Sequence, residues 1–65
     1  MRINRKKLAI TMINADLSVS KLVERSELSR ATVSAIKNGK SCQAATAMKL
    51  AKALNVELEE LLEEG

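Results

Sequence analysis

The sequence predicts a single all-α domain of five short helices spanning residues 1–65. Three observations carry that expectation. A helix start signal recurs three times, an apolar stripe at helical spacing lies near the end, and no segment has the pattern of a strand. The 65 residues contain no proline and no aromatic side chain, so the core must be built from Leu, Ile, Val, Met and Ala. A chain this short can form only a small and marginal core.

Asn4, Ser18 and Ser29 each offer a short side-chain oxygen to the free amides of a first helical turn. Each also stands between an apolar residue just before it and another four positions after it. The pairs are Ile3 with Leu8, Leu17 with Leu22 and Leu28 with Val33, each suited to a hydrophobic staple. They predict helices over about 5–15, 19–25 and 30–38. Ser26-Glu27-Leu28 is a short connection, which suits a crossing nearer ~90–120° than an antiparallel pair. On composition alone, any small bundle with tight loops fits as well. Ile10 falls opposite Leu8, Met12 and Ala15 and is expected at the surface, while Met12 and Met48 read as core fillers.

Ala47, Leu50, Ala51 and Leu54 form an i, i+3, i+4, i+7 stripe that predicts a fourth helix over about 43–54. Ser41 is its best cap by chemistry. A fifth helix is expected around Leu58, Leu61 and Leu62, with Glu57, Glu59 and Glu60 at the positive end of its dipole.

Charge is segregated along the chain. Eleven basic and three acidic residues lie between Met1 and Lys52, and the other five carboxylates crowd the last nine positions. From Leu28 to Val56 there is no acidic residue, but Arg30, Lys37, Lys40, Lys49 and Lys52 are present. Such a distribution produces a local positive field, the footprint of a polyanionic partner. The absence of His, Tyr, Trp and Phe removes most catalytic and metal-ligating chemistry, so neither an enzyme nor a bound cofactor or metal is expected. A single cysteine, Cys42, allows no disulfide framework and fits a reducing cytoplasm. The apolar run Leu8–Ile13 is six residues long. That is shorter than the ~7–15 of a signal-peptide core and far below a membrane span, so no membrane partner is expected.

The third helix poses the sharpest question. With Val33 and Ile36 facing the core, its outer face carries Ala31, Ser34, Ala35 and Asn38 where long Glu and Lys side chains are usual. Arg30 and Lys37 border that face.

The stretch LSVSKLVERSELSRATVSAIKNGK, Leu17 to Lys40, resembles the helix-turn-helix of the Cro/repressor (XRE) family of DNA-binding proteins without gaps. The resemblance continues through TAMKLAKALNVELEELL, Thr46 to Leu62, and so covers almost the whole chain. It implies a five-helix, lambda-repressor-like domain in which helices 2 and 3 form the motif. It also implies a Cro-type transcriptional repressor that binds double-stranded DNA as a homodimer, formed in solution or only on DNA. Small side chains let a recognition helix approach base edges in the major groove closely. Ala31 and Ala35 can touch a thymine methyl, Ser34 can pair with a donor or an acceptor, and the fork of Arg30 suits guanine. Phosphate contacts are expected from Ser29 and the first amides of that helix, and from Lys37, Asn38 and Lys40 at its far end. Arg5 and Lys6, with Lys7, oppose the dipole of the first helix at a cost of ~0.3–1 kcal/mol each, which a nearby phosphate would offset.

This chain departs from the family pattern at four positions. Val19 stands where the family often has a Gln that clamps a phosphate or base, so that role is not carried over. Val23 replaces a smaller residue where helices 2 and 3 meet. Glu27 occupies a turn position that usually holds Gly, and Lys37 replaces a frequent Glu. A chain of this length leaves no room for a ligand-sensing domain, so no small-molecule ligand is expected. The rival reading is a protein-interaction module, such as an antitoxin-like subunit, whose functional surface is the acidic end.

Overall fold

A computed structural model describes residues 1–62. Four α-helices follow one another: α1 Arg5–Asn14, α2 Val19–Ser26, α3 Arg30–Lys37 and α4 Ala44–Leu54. A single 3₁₀ turn, Leu58–Glu60, comes after them. Where a fifth helix was expected there is only this turn. The reason is a competing use of the backbone. Ile3 forms an antiparallel bridge with Leu62, and the Asn4 amide donates to the Leu61 carbonyl at 2.8 Å. The end of the segment is thus drawn against the start of the chain instead of continuing a helix. Leu61 is still fully buried, and Leu58 packs against the core from its edge.

The three predicted caps form. The Asn4 side chain accepts from the Lys6 and Lys7 amides, Ser18 from Lys21, and Ser29 from Thr32. The fourth helix is capped differently from the expectation. Gln43, not Ser41, takes the extended cap position, and its side chain makes no cap hydrogen bond. Cys42 donates its amide to the Met1 carbonyl at 2.8 Å, so the chain runs alongside the N-terminal arm through this point and the helix starts later.

Each α-helix is followed within two residues by a left-handed one. Asp16, Glu27 and Asn55 have φ of 57°, 60° and 59°, and Gly39 has φ of 92°. After α1, α3 and α4 the bonds are those of a Schellman motif. In α3, for example, Lys40 donates to Ala35 and Gly39 to Ile36, at 3.1 and 3.0 Å. After α2 only the Glu27 amide returns, to the Val23 carbonyl at 3.1 Å. Asn and Asp tolerate this conformation comparatively well, but Glu does not.

One core joins the elements. Leu8 and Met12 of α1, Leu22 of α2, Val33 and Ile36 of α3, and Ala47, Leu50, Ala51 and Leu54 of α4 are buried with Ile3 and Leu61. Helix α2 packs on both α3 and α4, and α1 packs on α3. Val23, larger than the family pattern, is accommodated half-buried beside them. Met48 is 60% exposed and is no core filler, because it lies a step off the Ala47–Leu50–Ala51–Leu54 stripe. Ile10 is exposed as expected, and Ile13 is more so at 76%.

Candidate nucleic-acid interface

The α2–turn–α3 unit is fixed from within. Leu22 and Val33 are fully buried, which sets the two helices on a common core. Between them Ser26 is buried, and its hydroxyl accepts from the Leu28 amide at 3.3 Å. That bond ties the residue after left-handed Glu27 back to the end of α2. The chain therefore reaches the Ser29 cap in a defined direction, and the cap sets the register of α3.

This register exposes Arg30, Ala31 and Ser34 and leaves Ala35 half-buried. The outer face is low, as the sequence pattern implies, and Lys37 and Asn38 stand exposed at its end. At the helix entry the Arg30 guanidinium donates to the Ser20 hydroxyl of α2 at 3.0 Å. A guanidinium has five N–H donors, so four remain for a ligand. Ser20 was missed at the sequence level. It is the second residue of α2, and nothing local connects it to a residue ten positions on.

Ser29 does more than cap. Its hydroxyl oxygen accepts from the Thr32 amide at 3.1 Å and lies 2.8 Å from the Thr32 hydroxyl. Whichever hydroxyl donates within that pair, the other keeps its hydrogen for an outside acceptor. Thr32 therefore joins Ser29 as a donor that the sequence did not single out. The amides of Arg30 and Ala31, ahead of the capped one, are first-turn donors that helical geometry leaves open.

At the exit of α3 the structure brings in a residue from another helix. The Arg5 side chain lies across Gly39, so that a methyl group at Gly39 would stand 3.2 Å from Arg5 Cδ. Arg5 thus joins the same end of the surface as Lys37, Asn38 and Lys40. Lys6 is exposed on α1. Lys7 turns elsewhere and donates through Nζ to the Leu62 carbonyl at 3.1 Å. The three cations of the first turn consequently separate, one to the α3 exit and one to the end of the chain.

Cys42, half-buried, lies beyond this surface. Burial pushes its thiol up from the ordinary value, with the positive amino group of Met1 pulling the other way. A raised thiol keeps its proton more firmly, the opposite of the shift that activates a cysteine nucleophile. Among the described residues no cluster of His, Cys, Asp and Glu could hold a metal ion, and no helix is long and apolar enough to cross a membrane.

Comparison with known proteins places this geometry. The restriction-modification controller protein C.AhdI from Aeromonas hydrophila superposes with a TM-score of 0.82 at 29% identity, over 89% of each chain. Solved structures of PhpD, one with cadmium atoms and one also with hydroethylphosphonate, match all of this chain with TM-scores of 0.85 and 0.84 at 26% identity. This chain spans only 14% of PhpD. No curated protein sequence matches significantly. The family model of the Cro/C1-type HTH DNA-binding domain matches residues 7–63. That match takes in α1 from Lys7 onward, the whole of α2, α3 and α4, and the 3₁₀ turn, and the chain belongs to the Cro/C1-type helix-turn-helix DNA-binding domains.

Proposed function

We propose that this protein is a sequence-specific transcriptional regulator, a Cro-type repressor working in the cytoplasm as a homodimer on a two-fold operator. The observation that carries the reading is the α3 surface. Small exposed residues form a low face, an anchored arginine stands at one end, and a group of cations drawn from two helices stands at the other. Arg30 reads a base edge, with Ala31, Ser34 and Ala35 fitting the groove beside it. Ser29, Lys37, Asn38, Lys40, Arg5 and Lys6 hold phosphates on either side. Two copies would set their recognition helices one DNA turn apart, ~34–36 Å. The likeness to a restriction-modification controller protein supports a regulatory role. The groups that α3 and its flanks present are cations, backbone amides and hydroxyls, which suits binding of a polyanion.

Selection of bound duplexes from a random library tests this reading, followed by affinity measurement on the selected and a scrambled sequence. A two-fold consensus, bound at least ~10³-fold more tightly than the scramble, is expected. Equal affinity for both would overturn specific recognition. A consensus without two-fold symmetry would overturn the dimeric operator.

A further inference from the structure

A groove of about 720 Å³ runs between the C-terminal end of α2 and the second half of α4. No residue assigned to DNA lines it. Arg25, Lys49 and Lys52 face it against a single carboxylate, Glu27, and Ala53 and Asn55 complete its α4 side. None of the three cations makes an ion pair among the described residues, where Lys21–Glu24 is a pair on the exposed side of α2. The groove is therefore a concave surface of net positive charge, three cations to one carboxylate.

The chain turns at Asn55, which adopts the left-handed conformation at the rim of the groove. Two residues further on the charge reverses, and Glu57, Glu59 and Glu60 are all exposed. The Glu60 carboxylate accepts from the Glu57 amide at 2.8 Å, which fixes this edge, and none of the three carboxylates pairs with a cation among the described residues. A basic hollow and an acidic edge thus stand on the two sides of one turn.

Side-by-side patches of opposite sign make a surface self-complementary, as a two-fold interface must be, since each copy offers both halves of every contact. A two-fold axis near Asn55 would place each copy's glutamates over the other's cations, so every pairing occurs twice. Other polyanions fit less well. A DNA backbone, or an acidic segment of another protein, would have to lie beside the same unneutralised glutamates. We propose that the α2/α4 groove takes the Glu57–Glu60 edge of a second copy, reciprocally, to form a dimer held by charge and dissolved by salt. This rests on the homodimer reading above and adds the surface and the chemistry.

Sedimentation of the full chain without DNA tests it, at ~10 mM and ~1 M salt, where charges are screened beyond ~30 Å and ~3 Å respectively. A dimer is expected at low salt, with Kd at least roughly tenfold weaker at high salt. Two double variants at exposed positions, Lys49→Glu with Lys52→Glu and Glu57→Lys with Glu59→Lys, should each be monomeric at low salt while keeping the wild-type circular dichroism spectrum. Mixed in equal amounts they should associate again, because each then meets the opposite charge at both contacts. A monomeric wild type at low salt, or a mixture that stays monomeric, overturns the proposal. If wild type and both variants dimerise alike at all salts, this interface is wrong and the homodimer reading stands. If a single copy occupies the selected operator, the homodimer reading falls as well.

Discussion

The two ends of α3 use similar backbone geometry for different work. At the entry the chain passes through left-handed Glu27, a buried serine ties the turn, and Arg30 is steadied by Ser20. At the exit the chain passes through left-handed Gly39, with Arg5 laid across it and Lys37 and Lys40 on either side. One end fixes a single guanidinium in place; the other gathers several cations without tethering them to one another. Reading a base needs a positioned donor, whereas gripping a phosphate backbone needs charge at roughly the right distance. On the proposed reading, the contrast between a fixed entry and a loosely charged exit is a contrast between specificity and affinity.

The most severe way to break this comparison is Arg30→Ala. It should cost ~1–3 kcal/mol on the selected operator and much less on random DNA, relaxing preference at one base pair per half-site. Ser20→Ala should reproduce part of that loss, and a competition assay with single-base operator variants reads both. If the operator-to-random ratio survives Arg30→Ala, Arg30 is a phosphate ligand and the entry is no reader.

Gly39→Ala tests the exit. The left-handed conformation costs a residue with a Cβ about 1–2 kcal/mol, and the new methyl also crowds Arg5. A lower melting temperature by far-ultraviolet circular dichroism is expected. Glu27→Gly is the counterpart at the entry and should act with the opposite sign. Relief of the same strain, less the entropy of glycine, should stabilise the fold by ~0.5–1 kcal/mol. The smallest effect belongs to Lys40→Ala. Its affinity loss should be similar on operator and random duplex, and the slope of log K against log salt should flatten by about 0.9. A sequence-selective loss from Lys40→Ala would erase the division between the two ends.

What could be read from the sequence was local. Asn4, Ser18 and Ser29 cap as expected because a cap needs only a side chain and an amide two or three residues away. The apolar stripe of α4 lies inward for the same kind of reason, since helical period alone decides it. The sequence marks Glu27 as standing where the family usually has Gly, and the structure shows that it bears the left-handed conformation itself. Failures came where distant backbone competes. The fifth helix is cut to one turn by the bridge to Ile3, and Ser41 loses the α4 cap where Cys42 runs alongside Met1. Ser20 beneath Arg30 and Arg5 across Gly39 are encounters between helices, invisible to any window of neighbouring residues. Met48 stays outside the core because helical register, not residue type, decides which side of α4 is buried.

The union of the N-terminal arm with the Leu61–Leu62 segment also has a kinetic meaning. The Lys7 ammonium and the Leu62 carbonyl are 55 positions apart, and the bridge from Ile3 to Leu62 encloses nearly the whole chain. Among the described residues, closing so large a loop carries the greatest entropic cost of any backbone pairing, while the capped helices can form from neighbouring residues alone. The clasp should therefore be the last structure to form and the first to open. Amide hydrogen exchange at Asn4, whose N–H is held by Leu61, would then run ahead of exchange at Val33 and Leu50 in the centre of the core.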